Sequence, residues 1–477
     1  MEHLSPLKLM LPLALLLSSL APIPATAVPS IEEQAAALIA WKASLQTQQT
    51  LQSWDSKAWP CSSWRGIGCG VRQGQMAITK ISLRGIRLRG SLEALNFSAL
   101  TTLTSIDLSN NRLTGRIPSS VVSLKELRAL ILHKNQIRGS LLQPALTTLT
   151  KLRVLVLSNN LISSSVPKEI GKLERLVSLN LSNNQLGGHI PSEIQWLSKL
   201  VILDLSNNNL VGRLDNLCIP GKYNNKSSLS NLKVLALPKN HLTSRIPQEF
   251  GDLVSLEYLD LSQNNLIDSI PTKINNLMGL KSLDLSDNNL SGHIPEQIGN
   301  LVNLENLYLS DNILTGSIPN ILGNLAKLST LSLSINQLSG HISEELGKLV
   351  NLEYLDLSVN MLTGFIPNSL GNLANLSTLY LFKNQLSGHI PQELGYLGNL
   401  KNLSLHMNKL TGSIPSSLGN LTKLSFLFLY SNKLSGHISQ ELGKLVNLEN
   451  LDLSDNILTG SIPNSLAINF LGIFLKN

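Results

Sequence analysis

Aromatic residues make up only 4% of this chain, and cysteine occurs three times, at Cys61, Cys69 and Cys218. An odd count leaves one thiol over; Cys218 is either a buried thiol or the seat of an intermolecular bridge. Beyond the first residues no apolar run reaches 18, so the mature chain holds no transmembrane segment. Leu466 to Leu475 is apolar but is ten residues long and interrupted by Asn469. The strings His-Arg-Asp and Asp-Phe-Gly do not occur, which removes kinase chemistry. No Ser/His/Asp set, carboxylate pair or phosphate-cradling loop stands above background, so no enzyme class and no cofactor is expected. The 38 basic and 31 acidic residues leave +7, spread along the chain without a run. That balance fits ordinary solubility or contact with acidic cell-wall polymers, and without basic stripes carrying aromatics it does not point to nucleic acid.

What is present begins with a processing signal. Lys8 precedes the apolar run Leu9 to Leu17, and Ala25-Thr26-Ala27 supplies small residues for cleavage. Residues 1–27 therefore read as a signal peptide; a short membrane anchor is the alternative, for which the run is brief. The secretory pathway and an oxidising compartment follow. Seven Asn-x-Ser/Thr sequons fit that compartment, at Asn96, Asn180, Asn225, Asn289, Asn375, Asn402 and Asn420. An Asn- and Ser-rich repeat also produces such strings by chance.

From about residue 76 one string recurs, Leu-x-x-Leu-x-Leu-x-x-Asn-x-Leu. Its asparagines are Asn111, Asn135, Asn160, Asn184, Asn208, Asn240, Asn264, Asn288, Asn312, Asn336, Asn360, Asn384, Asn408, Asn432 and Asn456. An earlier copy carries Ile86 in the Asn slot, which makes about sixteen repeats over residues 76–466. A fixed period of this size predicts a stacked solenoid presenting a long binding face. In Leu283-Asp284-Leu285-Ser286 the alternation is that of a strand, with leucines inward. The expected fold is α/β: one parallel strand per repeat on the concave face, and a short helical or irregular return on the other side. Each Asn turns inward and needs main-chain partners, so the series is structural. Gly292 and Pro295 fit a turn after the strand. One step of 32 residues, between Asn208 and Asn240, places an insertion at 215–231 in a loop.

Residues 28–75 read as an amino-terminal cap. Ser30-x-x-Glu33 is a capping box, and Leu38, Trp41 and Leu45 follow on one helical face. Solenoid ends need covering, which a Trp-rich helix with a Cys pair can do. A Cys61–Cys69 disulfide is predicted, since two isolated cysteines without nearby histidines make a poor metal site.

Leu113-Thr-Gly-Arg-Ile-Pro118, Leu314-Thr-Gly-Ser-Ile-Pro319 and Leu386-Ser-Gly-His-Ile-Pro391 closely resemble plant extracellular leucine-rich repeats. Trp64-x-Gly66-Ile67-x-Cys69 resembles the amino-terminal cap of the same group. The resemblance implies the ectodomain of a plant receptor-like kinase or receptor-like protein in signalling or defence. It would bind an extracellular peptide or protein on its concave face and pair with a leucine-rich repeat co-receptor. The plasma-membrane exterior is then the location, or the apoplast if the chain is free. The alternative is a soluble secreted protein that inhibits a cell-wall-degrading enzyme or acts as a decoy. The pattern fails from Ala467 and no Cys-bearing closing cap appears, so residues 467–477 read as a divergent, truncated end.

Outward strand positions are bland in most repeats, as at Asp260 with Ser262 or Asp356 with Ser358. Three consecutive repeats depart: Tyr380 and Phe382, then Ser404 and His406, then Phe426, Phe428 and Tyr430. Such a cluster is either a ligand-binding surface or cross-strand stacking that holds the sheet. The Asn402 sequon would set a glycan beside it. His133 and Lys134 also face outward, as a solvated pair or a contact for an acidic ligand. His189, His293, His341, His389 and His437 sit in turns too far apart to share a metal.

Overall fold

The computed structural model describes residues 28–140, 146–217, 229–463, 466 and 473–474. The signal segment, Cys218 and the Asn225 sequon lie outside the described residues. Sixteen parallel strands, from Gln75–Ser82 to Asn450–Asp452, form one continuous sheet. Adjacent strands pair at identical repeat positions, as in Leu259↔Leu283 and Leu283↔Leu307. At about 4.8 Å per strand the sheet runs roughly 75 Å. Leucines flanking each strand midpoint are fully buried, so the interior is a file of stacked leucines. On the opposite side, five-residue 3-10 turns such as Glu296–Asn300 follow a proline, here Pro295, whose fixed φ starts the return.

The asparagine series is what joins one repeat to the next. Asn264 is representative: its Nδ2 donates to the carbonyls of Leu261 (3.1 Å) and Ser262 (3.0 Å) in its own turn. The same nitrogen donates to Leu237 (3.0 Å) in the preceding repeat, and its Oδ1 accepts from the Leu242 amide (3.1 Å). The geometry persists from Asn111, through Leu83 and Leu88, to Asn456, through Leu429 and Leu434. Each Asn ties backward. The first repeat has only the cap behind it, and there Ile86 packs against the core instead.

The residue before each Asn is left-handed, with φ between 50° and 56° from Asn110 to Asp455. Asn and Asp accept that conformation, but Ile335 and Val359 are β-branched and strained there.

The turn expected at Leu-x-Gly-x-Ile-Pro is more ordered than that reading allowed. Gln337–His341 pairs in parallel with Thr315–Ser317 and with Met361–Thr363, a second narrow sheet on the flank. Stacking places identical turns side by side, so their amides and carbonyls pair. Gly340, at φ 79°, makes the bend within it. Around Gly292 the chain stays a bend, joined to its neighbours by the Ser291 amide donating to the Asp268 carbonyl and by a bridge between His293 and Thr315.

At the amino end, helix Ile31–Ser44 opens with the Ser30–Glu33 capping box. Trp41, Trp54 and Trp64 pack in a row, with centroids 6.2 and 5.3 Å apart. Their indole N–H groups donate to the carbonyls of Ser91, Arg65 and Asp55. Cys61 and Cys69 are disulfide-bonded. Gln34 is fully buried; its Oε1 accepts from the Ile78 amide at 2.7 Å, joining cap to first strand. At the far end, Ile473–Phe474 pairs with Leu451 and Asp452 and extends the sheet into the divergent tail.

Ile335→Asn should raise stability by about 1 kcal/mol, read from the urea midpoint, because it relieves a left-handed β-branched residue. Asn264→Ala should cost about 3 kcal/mol by leaving main-chain groups unpaired. Amide exchange should show the loss centred on residues 237–266.

Candidate ligand-binding surface

In six of the sixteen strands an outward Asp and Ser satisfy each other. Asp260 Oδ1 accepts from the Ser262 amide (3.0 Å) and hydroxyl (2.7 Å), and Asp356 does the same with Ser358 at 3.0 and 2.6 Å. Asp107, Asp284 and Asp452 repeat the arrangement with Ser109, Ser286 and Ser454. Burial pushes the Asp284 carboxyl up, against the Ser286 hydrogen bonds that pull it down. A surface of self-paired groups has little left to offer a ligand.

That row breaks between Tyr380 and Tyr430. Register aligns Tyr380, Ser404 and Phe428 on adjacent strands, with Thr378, Asn402 and Phe426 beside them. The small Ser404 thus lies in a dip between two large rings. The dip is a cavity of about 330 Å³ lined by Tyr380, Phe382, Asn402, Ser404, His406, Phe426 and Phe428. Larger hollows exist, including one of about 950 Å³ on the flank. The aromatic dip joins ring walls to a polar floor on the sheet face, the arrangement expected of a binding site.

The rings are also stacked on each other. His406 lies between Phe382, at 4.5 Å and 8°, and Tyr430, at 4.2 Å and 16°. Tyr380 meets Phe382 edge-on at 6.0 Å, and Phe426 meets Phe428 at 6.3 Å. All six aromatic and imidazole groups are half-buried. Cross-strand stacking and an open ring surface therefore coexist. The His406 Nδ1 lies 2.7 Å from the Ser404 hydroxyl, and desolvation holds its pKa down to about 4, against a raising contribution from Asp452. The imidazole is neutral in mildly acidic surroundings.

The stack extends one repeat further than the sequence indicated. Tyr354 meets Tyr380 edge-on at 6.1 Å, its hydroxyl 3.4 Å from Asp356 Oδ2. Tyr354 occupies the first outward position of its strand and Tyr380 the second, so column-by-column reading separates them. The diagonal neighbour across the strands was the available signal. Phe365, 71% exposed on the flank, was also overlooked. It lies over Gly388 and beside His341 and His389.

The other singled-out residues have structural surroundings. His189, His293, His341 and His437 each set Nδ1 against the next repeat's carbonyl, at 3.1 to 3.3 Å. His389 lies over Gly412 in the same manner. Among the described residues no three His, Cys, Asp or Glu side chains gather as a metal site. The His133 pKa is lowered by desolvation and then by Lys134 and Arg84. Of the sequons, Asn96, Asn289, Asn375 and Asn420 are exposed, and Asn180 and Asn402 are half-buried on the sheet face. The Asn375 Nδ2 donates to the Val350 carbonyl. It belongs to a second, exposed ladder with Asn303, Asn351, Asn399 and Asn447 that the sequence reading did not separate out.

The family model "Leucine-rich repeat region" matches residues 216–362 and 334–468, and "Leucine rich repeat N-terminal domain" matches 31–70. An Arabidopsis thaliana leucine-rich repeat receptor-like serine/threonine-protein kinase, RGI4, is 38% identical over 110 residues, 23% of this chain. The match spans about a tenth of that relative's length. Among solved structures, the plant peptide hormone receptor RGFR1 in complex with RGF2 superposes with TM-score 0.74 at 33% identity. It covers 85% of this chain and 70% of that one. A Leptospira interrogans leucine-rich repeat protein, LIC12759, reaches TM-score 0.61 at 34% identity, covering 76% and 86%. The fold is thus shared well outside plants, and function has to be argued from the site.

Between the ordinary histidine pKa near 6.5 and about 4, the unfolded chain binds a proton that the folded His406 refuses. Stability should fall as pH drops through that window, and His406→Phe should flatten the dependence. An NMR titration in which the His406 ring protonates above pH 6 would contradict the stacked, desolvated geometry.

Proposed function

This chain belongs to the leucine-rich repeat family, in the form found in plant receptor ectodomains, and we propose that it is a ligand-perceiving ectodomain. Its recognition centre is the aromatic dip around Ser404. The observation that carries this reading is the replacement of the self-paired Asp–Ser row by rings with a hydrogen-bonding floor. Rigid aromatic side chains give contact area at little entropic cost, and a neutral imidazole can exchange hydrogen bonds without desolvating a charge. An extended peptide crossing the strands would set one side chain between Tyr380 and Phe428. The ligand is therefore an extracellular peptide or protein segment with an apolar or aromatic anchor. The structural neighbour RGFR1, solved with RGF2, supports peptide binding on this fold.

The same reading puts the chain at the cell exterior, as for the receptor kinases it resembles. Among the described residues no helix is long and apolar enough to cross a membrane. Pairing with a second repeat protein as co-receptor belongs to this proposal.

Panning a displayed peptide library on the secreted chain tests the site. Enriched peptides should lose about tenfold or more in affinity for Phe428→Ala with Tyr430→Ala, the scale of a hot-spot pair. Ser404→Trp, which fills the dip, should do the same. Unchanged binding by both variants, with unchanged melting, would reject the dip as the site. Asn402 lines it, so Asn402→Gln should strengthen binding if that sequon carries a glycan.

A further inference from the structure

Charge is not spread evenly along the solenoid, contrary to the first reading of the sequence. Residues 65–245 hold 24 basic and 8 acidic side chains, a surplus of 16 positive charges. Residues 246–477 hold 11 and 19, a surplus of 8 negative. Every arginine of the chain lies at or before Arg245. A whole-chain value of +7 conceals two halves of opposite sign.

Four of the thirteen arginines lie along the flank formed by the narrow secondary sheets. Arg89 and Arg112 are partners in parallel register, side by side on neighbouring strands. Arg138 follows on the next repeat, its amide donating to the Gly115 carbonyl, and Arg116 lies against Gly139. All four are exposed. Among the described residues none of their guanidinium groups has an ion-pair or hydrogen-bond partner. Like charges facing each other across strands destabilise a sheet. Glu93, the acid lining the same flank, uses its Oε1 to accept from the Arg116 amide. The flanking hollow of about 950 Å³ is lined by Arg116 and Arg138 together with Glu93, Ser119, Ser163 and Gln185.

We propose that this arginine flank binds a linear, carboxylate-bearing polysaccharide, a polyuronate. Guanidinium forks match carboxylates in two-point hydrogen bonds. Ser119, Ser163 and Gln185 offer donors and acceptors for sugar hydroxyls in the same hollow. The open hollow draws its lining from five successive repeats, from Glu93 to Gln185, and suits a chain better than a compact anion. A polymer held there leaves the aromatic dip, eight repeats beyond Gln185, free for its own ligand.

The test uses the full secreted chain and immobilised polygalacturonate at varied salt. Binding is expected at low ionic strength, weakening steeply as salt rises. The triple variant R89Q/R112Q/R138Q should lose about tenfold or more, as removal of several charge-assisted contacts requires, with melting unchanged. Fully methyl-esterified polygalacturonate, the same backbone without charge, should not bind. Phe428→Ala with Tyr430→Ala should leave polyuronate binding intact, which separates this flank from the aromatic site. Equal binding of the esterified polymer, no loss in the triple variant, or tighter binding of polyglutamate at matched charge would each overturn the assignment.

Discussion

Everything in this molecule hangs on one buried amide per repeat. A strand of three residues cannot hold a turn closed alone, and each repeat leaves carbonyls and an amide pointing inward. The asparagine side chain carries the acceptor and donors that those groups need, and satisfies them across the repeat boundary. The left-handed residue before it aims the side chain inward. The file of buried leucines supplies the hydrophobic drive, but leucines are indifferent to register. The amide fixes it.

With the interior committed in this way, variation is confined to what faces outward. Three surfaces result. The sheet face carries self-paired Asp and Ser in some strands and a cluster of rings around Ser404. The flank carries histidines bonded to the next carbonyl, then unpartnered arginines towards the amino end. The opposite side carries the exposed asparagine ladder, in places reached by a lysine, as Lys327 reaches Asn303. One scaffold thus presents chemically distinct strips.

Much of this was legible in the residues. The 24-residue period, the inward leucines and the Ser30 capping box are local patterns, and local patterns survive folding. What escaped depends on stacking. The second narrow sheet exists because identical turns sit side by side, a relation no single repeat contains. Tyr354 joins the aromatic group diagonally, across columns that a linear reading keeps apart. Gln34 reaches Ile78 from 44 residues away. The charge division was visible in the sequence but was averaged out by taking a single net value.

The asparagine reads only main chain. Its four partners are carbonyls and an amide that every neighbour supplies, whatever side chains that neighbour carries. Any copy can therefore follow any other, and copying errors that add or remove whole units leave each junction intact. The identity of Glu345-Leu-Gly-Lys-Leu-Val-Asn-Leu-Glu with the nine residues beginning at Glu441 has the form such an event would leave. In this architecture length is a heritable variable of its own, free to drift while the cross-section stays fixed.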